Sequence, residues 1–187
     1  MARKPGKSET LTIRLDPKTR FMLEFVARLR GQTITVVVER AIAAAADGAE
    51  VPQYNAFGGS EDPATWRDYW DVSEGVRAMK MAADPELHPT YDEERRLAFA
   101  KKHAVFFFAL PSKMQGYRVG YIDTLWPQID RLVEIDEANR ATDYFAAGRE
   151  MVSILEAANL KPPIWPPEPE KPAAPAASSG MDDDVPF

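Results

Sequence analysis

Residues 10–17 read Thr-Leu-Thr-Ile-Arg-Leu-Asp-Pro, and the expected arrangement of the N-terminal part of the chain follows from them. Polar and apolar side chains alternate strictly up to residue 15, which is typical of a half-buried β-strand. Asp16 followed by Pro17 then predicts the start of a helix, because aspartate is a good N-cap residue and proline suits the first helical position.

Two helices are predicted after this strand. Apolar residues recur at helical spacing until Gly31, which predicts the end of the first helix. These residues are Met22, Phe25, Val26 and Leu29. Thr33 can cap a second helix. The inner face of that helix holds Ile34, Val37, Ala41 and Ile42. One strand and two short helices bury little surface alone, so about 40 residues of this kind must pair or dock to be stable.

The order strand, helix, helix over residues 10–46 resembles the ribbon-helix-helix family of bacterial repressors. In that family two chains pair their strands into an antiparallel ribbon, which enters the major groove of DNA. The resemblance implies a homodimer that binds double-stranded DNA. It also implies that the apolar strand residues lie in the dimer core; these are Leu11, Ile13 and Leu15.

The DNA-binding residues implied by this resemblance fall into three groups. They are Thr10, Thr12 and Arg14 at the bases, Thr33 and Thr35 at a phosphate, and Arg3, Lys4 and Lys7 in a basic arm over residues 1–9. The guanidinium of Arg14 matches the O6 and N7 acceptors of guanine. Hydroxyl and backbone N–H groups at the start of the second helix suit a phosphate. The alternative is that the polar strand residues form the wet face of an ordinary edge strand.

The net charge of −6 conceals a gradient along the chain. Residues 1–50 carry nine basic and six acidic side chains, whereas residues 51–160 carry twelve and eighteen, and residues 161–187 carry two and five. The basic end is therefore N-terminal. The charge of the surface that touches DNA decides whether it can neutralise phosphates. The N-terminal end is therefore the expected DNA-binding surface.

The middle of the chain is predicted to be a linker over residues 47–63 followed by a small helical domain over residues 64–160. Thr90 and Glu93 fit a capping box, and the helix that they open is expected to run past Ala100 toward Phe106. The run Phe-Phe-Phe at residues 106–108 also fits a buried strand. Three aromatic residues at helical spacing predict core packing rather than stacking on single-stranded DNA; they are Trp66, Tyr69 and Trp70.

No catalytic, metal or cofactor site is predicted. The chain has two histidines, His88 and His103, with no His-x-x-x-His pair, no Gly-rich phosphate loop and no cysteine. A row of carboxylates predicts a solvated helix face rather than a Mg²⁺ site; it comprises Asp123, Asp130, Glu134, Asp136 and Glu137. The absence of these catalytic motifs predicts a non-enzymatic protein. The lack of cysteine predicts a cytoplasmic protein, and the lack of an apolar run of about 20 residues predicts no membrane partner.

The C-terminal residues are predicted to form a disordered Pro-rich tether over residues 161–180 and a docking peptide over residues 181–187. Residues 161–187 hold eight of the sixteen prolines, and a polyproline-like tether would reach roughly 60 Å. Residues 181–187, Met-Asp-Asp-Asp-Val-Pro-Phe, resemble the acidic tip of bacterial single-stranded DNA-binding protein, which docks on replication, recombination and repair enzymes. The five-stranded barrel of that family is not predicted in residues 1–160.

The partner-binding residues implied by the tip resemblance are Asp182, Asp183, Asp184, Val185, Pro186 and Phe187. The implied partners are an exonuclease, a helicase or replication subunits. A terminal phenylalanine ring can fill an apolar pocket while its α-carboxylate pairs with an arginine, and the aspartates attract a basic rim.

The whole chain is therefore expected to be mainly α, with a dimerising ribbon-helix-helix head, a helical domain and a tail. The expected function is that of a DNA-binding regulator or accessory protein of a mobile element such as a plasmid or phage. Two alternatives stay open. One is an antitoxin-like transcriptional repressor, and the other is a single-stranded-DNA-binding or decoy protein that uses its tail to recruit or block repair enzymes.

Overall fold

The computed structural model describes residues 11–54 and 59–166. These residues are mainly helical and include two small antiparallel sheets. The chain divides into two compact units, with the boundary between Trp70 and Asp71. Among the described residues, no helix has the length and apolar character needed to cross a bilayer.

The N-terminal unit contains two helices, a strand pair and one helical turn. They are α1 (Pro17–Arg30), α2 (Ile34–Asp47), β1 (Glu50–Tyr54), β2 (Ser60–Thr65) and α3 (Trp66–Tyr69).

The predicted caps of both helices are confirmed. The Asp16 carboxylate accepts the backbone N–H groups of Lys18 and Thr19 at 2.9 and 3.0 Å. Gly31 ends α1 with a φ of 59°, a left-handed conformation that glycine adopts without strain. The Thr33 hydroxyl accepts the backbone N–H of Val36 at 3.3 Å and caps α2.

The predicted ribbon-helix-helix fold is wrong for this structure. Residues 11–16 form no strand, and the strands of the N-terminal unit, β1 and β2, follow α2 instead of preceding α1. Leu11 is 76% exposed and Ile13 is 57% exposed, so neither lies in a core. Alternation decides which side chains share a face, but it supplies no backbone hydrogen-bonding partner, and a strand requires both.

The predicted linker over residues 47–63 contains β1 and the first part of β2. β1 pairs with β2 in antiparallel register, with Glu50 opposite Thr65 and Tyr54 opposite Ser60. The short helix α3 follows directly, and Trp66 and Trp70 beside it are 43% and 56% exposed. The prediction that these aromatics form core is therefore wrong for the two tryptophans, because a single helical turn has no inner face to bury them.

The C-terminal unit is a helical assembly with one short hairpin. Its elements are α4 (Glu74–Ala82), α5 (Tyr91–Lys102), α6 (Ala104–Phe107), β3 (Phe108–Leu110), β4 (Gln115–Tyr117), α7 (Val119–Leu125), α8 (Ile129–Ala138) and α9 (Ala146–Ala157). A 3₁₀ turn containing Pro127 separates α7 from α8. The capping box of α5 is confirmed, since the Thr90 N–H donates to Glu93 Oε2 at 2.7 Å and the Glu93 N–H donates to Thr90 Oγ1 at 3.4 Å.

The helix opened by Thr90 is shorter than the sequence predicted. The backbone leaves helical geometry at His103, with φ −102° and ψ 40°, and α6 begins afresh at Ala104. The Phe-Phe-Phe run then joins α6 to β3, and all three rings are buried. The core around them includes fully buried side chains from most helices of the unit, namely Phe106, Phe107, Ile122, Leu125, Leu132, Met151 and Leu155.

Candidate functional site

The predicted DNA-binding residues that the structure describes lie at two places in the N-terminal unit. Thr12 and Arg14 are exposed on the extended segment that leads into α1. Thr33 and Thr35 are exposed at the start of α2, where the Thr33 hydroxyl is already engaged in capping. The remaining predicted contacts lie outside the described residues; they are Thr10, Arg3, Lys4 and Lys7, together with the tip residues 182–187.

The N-terminal unit presents an apolar face that its own described residues leave uncovered. Phe21, Phe25 and Leu29 of α1 are 67%, 56% and 73% exposed. The two phenylalanine rings stack on each other with their centroids 6.3 Å apart. Among the described residues of this unit, the buried apolar side chains are those of Ala27 and Val37. The unit thus has far more apolar surface than core.

Three ion pairs join α5 to α8 in the C-terminal unit, and sequence reasoning missed them. Arg95 binds Glu137 through two hydrogen bonds of 2.6 and 2.5 Å, and Arg96 binds Asp130 through two of 2.7 and 2.9 Å. The third pair joins Lys102 to Asp136 at 2.7 and 2.8 Å. The acidic row was predicted to be a solvated face. Both sets of charges are visible in the sequence, but no spacing in it indicates that α5 packs against α8, and Arg95 and Lys102, seven residues apart, pair with the adjacent residues Glu137 and Asp136.

A buried imidazole extends the innermost of these pairs. His103 is 1% exposed, and its Nε2 lies 3.0 Å from Asp136 Oδ1. Its Nδ1 has no hydrogen-bond partner within the described residues. The rings of Phe99 and Trp165 lie against it, with centroids 4.6 and 5.5 Å away. The imidazole is therefore buried with one of its two ring nitrogens hydrogen-bonded.

The pKa values of this pair follow from burial and hydrogen bonding. Burial lowers the pKa of His103 and outweighs the hydrogen bond to Asp136 that would raise it. For Asp136, burial favours the neutral carboxyl, but the hydrogen bonds from Lys102 and His103 prevail and hold its pKa below the ordinary value. At neutral pH the imidazole is therefore neutral, and Nε2–H donates to a charged carboxylate.

A shallow cleft of about 410 Å³ lies beside these pairs, and Lys102 Nζ sits 4.4 Å from the ring centroid of Tyr144 at its edge. Its two carboxylates, Asp136 and Glu137, are held by Lys102 and Arg95. Across residues 11–54 and 59–166, no group of three histidine or acidic side chains is placed to hold a metal ion. The pairs serve to fasten α5 to α8.

Residues 160–166, which we call the C-terminal strap, pack onto the same unit. The Tyr121 hydroxyl donates to the carbonyl oxygen of Lys161. Trp165 Nε1 donates to the carbonyl oxygen of Phe145 at 3.4 Å, and its ring lies 5.3 Å from that of Phe106 and 5.8 Å from that of Phe145. The first residues of the predicted tether are thus part of the folded unit.

A second depression, of about 500 Å³, lies where the strap crosses α6 and α7, and we call it the strap pocket. Its lining residues are Val105, Pro111, Arg118, Tyr121, Lys161, Pro162, Pro163 and Ile164. Their surface is mainly apolar, with a guanidinium and an ammonium at the rim. Such a pocket suits an apolar side chain that is flanked by negative charge.

Comparison of the chain with family models, curated proteins and solved structures finds no match. The resemblance of residues 181–187 to the tip of single-stranded DNA-binding protein therefore stays a prediction.

Proposed function

We propose that this protein is a homodimeric DNA-binding adaptor rather than an enzyme. Its N-terminal unit would associate with a second copy and contact duplex DNA. Residues 182–187 would bind enzymes that also bind the tip of single-stranded DNA-binding protein. The proposal places the protein in the cytoplasm, where a plasmid, phage or other mobile element would use it to bring replication or repair enzymes to a chosen DNA site.

The observation that carries the proposal is the exposed apolar face of α1. Phe21, Phe25 and Leu29 leave about half or more of their surface in water. Burying one such side chain completely contributes about 1.5–3 kcal/mol, so covering these three would contribute several kcal/mol. A second copy presents the same residues, and an isologous contact between identical patches is the commonest route to a dimer.

Association would also double the positive charge offered to DNA. Residues 1–30 hold eight basic and three acidic side chains, a net charge of +5, so two copies together carry +10 in these segments. Each phosphate that they neutralise releases counterions, which gives binding that weakens steeply with salt. The exposed Arg14 and Thr12 support a role for residues 10–14 in that contact.

The tip supplies the proposed link to enzymes. Its three aspartates would be attracted to a basic rim, and its proline reduces the ordering cost of the docked peptide. Binding is expected to be weak and salt-sensitive. The mode requires the α-carboxylate of Phe187 to be free, and an amidated peptide tests that requirement directly.

The test of the proposed dimer compares two substitutions of equal exposure. Phe25→Asp in α1 should convert a dimer into a monomer in light-scattering measurements and weaken duplex-DNA binding at least tenfold. Leu110→Asp is the control, because Leu110 is 54% exposed, against 56% for Phe25, but lies in the C-terminal unit. A wild-type chain that is monomeric at micromolar concentration, or that retards no duplex at low salt, would contradict the proposal.

The same apolar face also favours a second candidate, an antitoxin-like repressor in which a different small protein covers α1. A heterologous partner would then purify with the chain in a fixed ratio, and the isolated chain would be monomeric. The light-scattering experiment separates the two candidates, because only the adaptor reading expects a homodimer of the isolated chain.

The tip is tested separately with a labelled peptide of residues 178–187 and purified exonucleases and helicases that bind single-stranded DNA-binding protein. Fluorescence anisotropy should detect binding that is lost when Phe187 is removed. Absence of binding to all of these enzymes would remove the proposed recruitment and leave only a DNA-binding protein.

A further inference from the structure

The strap pocket is positively charged within an acidic part of the chain. Residues 51–160 carry six more acidic than basic side chains. The charged residues that line this pocket are nevertheless both cations, Arg118 and Lys161. Two cations at one pocket attract an anion to it, whereas the acidic surface elsewhere in this part of the chain repels anions. The pocket is therefore suited to an anionic ligand.

The guanidinium of Arg118 is held in place but not neutralised. Its Nε donates to the carbonyl oxygen of Phe108 at 3.0 Å, and its Cζ lies 5.3 Å from the ring centroid of Tyr121. No carboxylate among residues 11–54 and 59–166 pairs with it, and the same holds for the Lys161 ammonium. A fixed guanidinium loses little freedom when it binds an anion, so its position favours affinity.

The walls beside these cations are suited to an apolar side chain. Val105, Pro111 and Pro162 are half-buried around the pocket, and the Tyr121 ring forms part of its lining. The volume of about 500 Å³ exceeds what one phenylalanine ring requires. The pocket therefore combines the two features that an acidic peptide with an apolar end would need.

We propose that the strap pocket binds residues 182–187 of the same chain, so that the tip is held by its own C-terminal unit until a partner competes for it. The inference rests on the proposed function, because it assigns a regulation to the tip proposed there. Asp182, Asp183 and Asp184 match the two rim cations in sign, and Val185 or Phe187 enters the apolar part.

The length of chain between the strap and the tip fits this arrangement. The pocket is lined by residues 161–164, within five residues of Pro166, so it lies at most about 17 Å from the point where the chain leaves the strap. Fourteen residues, 167–180, separate Pro166 from the docking peptide. This segment holds four prolines and spans roughly 43 Å if polyproline-like, at about 3.1 Å per residue, so it is long enough to bridge that distance.

Because the tip and the pocket belong to one chain, docking of the tip would be intramolecular. A tether that can span the distance between two sites raises the local concentration of one at the other above the bulk concentration of the chain. Even weak docking would then occupy the pocket in most molecules. The apparent affinity of the tip for a partner would then be the intrinsic affinity multiplied by the fraction of tips that are free.

The test uses the full chain with its own tip disabled by Asp182→Asn, Asp183→Asn, Asp184→Asn and Phe187→Ala. A labelled peptide of residues 181–187 is titrated with this variant and with the wild-type chain. We expect the tip-disabled chain to bind the peptide and the wild-type chain to bind it at least tenfold more weakly. Equal binding by the two chains would overturn the proposal, because it would mean that the pocket is empty in the wild type.

Two further substitutions in the tip-disabled chain locate the binding. Lys161→Gln and Arg118→Gln should each weaken peptide binding several-fold. Lys161 has an exposed side chain and uses only its backbone oxygen within the fold, so its replacement tests the pocket even if the Arg118 variant is destabilised. Arg140→Gln is the control, because it removes a cation from the other cleft. Undiminished binding in both pocket variants would overturn the proposal.

The self-docking and the proposed recruitment of enzymes can be refuted separately. Peptide binding to exonucleases and helicases involves no residue of the strap pocket. If those enzymes bind the peptide while the tip-disabled chain does not, the self-docking is refuted and the recruitment is retained. If the chain binds the peptide while the enzymes do not, the recruitment is refuted and the pocket assignment stands.

Discussion

Replacing Gly148 with alanine should dislodge Trp165 from the C-terminal unit. Gly148 lies near the start of α9, and an added Cβ would lie 2.0 Å from Cε2 and 2.1 Å from Nε1 of the Trp165 indole. Non-bonded atoms do not approach each other this closely in a folded protein, so the indole ring has to leave its position. The strap that carries Trp165 would lose its main anchor.

The expected change in the free energy of unfolding has two parts, namely the burial that the indole loses and the helix propensity that alanine adds. Complete removal of a buried tryptophan side chain costs about 3–5 kcal/mol, and Trp165 is half-buried, so its displacement should cost about 2 kcal/mol. Alanine near a helix start returns about 0.5 kcal/mol relative to glycine. The variant should therefore be destabilised by about 1.5 kcal/mol.

Gly120→Ala is the matched control, because Gly120 lies at the same kind of position in α7 and has no atom within 4 Å of its added Cβ. It should be stabilised by about 0.5 kcal/mol. Urea unfolding followed by tryptophan emission measures both variants, and a Trp165→Ala background completes the cycle. In that background Gly148→Ala should no longer be destabilising. An equal loss of stability with and without the indole would refute the reasoning, because the obstacle would then be something other than Trp165.

Three further predictions concern the same unit. Stability should fall as the pH drops below about 6.5, because the lowered pKa of His103 means that the unfolded chain binds more protons than the folded chain in that range. In the His103→Gln variant, the midpoint of urea unfolding should depend less on pH over the same range. Asp136→Asn should cost about 2 kcal/mol in urea unfolding because it leaves a half-buried ammonium unpaired, whereas Asp130→Asn, whose side chain is 61% exposed, should cost less than about 1. Gly75→Ala should lower the thermal midpoint, since its Cβ would lie 2.7 Å from the Trp126 ring.

Local signals in the sequence predicted local structure well. Asp16, Thr33 and Thr90 cap the helices that they were expected to cap, because a cap is formed within four residues and needs no tertiary partner. Each of these outcomes depends only on residues close in the chain.

The errors arose where the outcome depends on residues far away in the chain. The alternation of residues 10–15 was sufficient for a strand by propensity, but the described chain brings no backbone edge to it. The predicted solvated face is correct for four carboxylates of the acidic row, since Asp123, Asp130, Glu134 and Glu137 are exposed, but the ion pairs were not predicted. The partners Arg95, Arg96 and Lys102 lie 34 to 42 residues earlier in the chain, and only the packing of α5 on α8 decides this pairing.

The two units differ in how their apolar residues are used, and this difference bears on the proposed function. The core of the C-terminal unit contains eighteen buried apolar residues. In the described part of the N-terminal unit, Ala27 and Val37 are the buried apolar residues, while four large side chains of α1 are exposed, those of Phe21, Met22, Phe25 and Leu29. Two helices with so little core gain stability chiefly by association. The DNA binding proposed for that unit would therefore depend on chain concentration, whereas the strap and its pocket belong to the C-terminal unit.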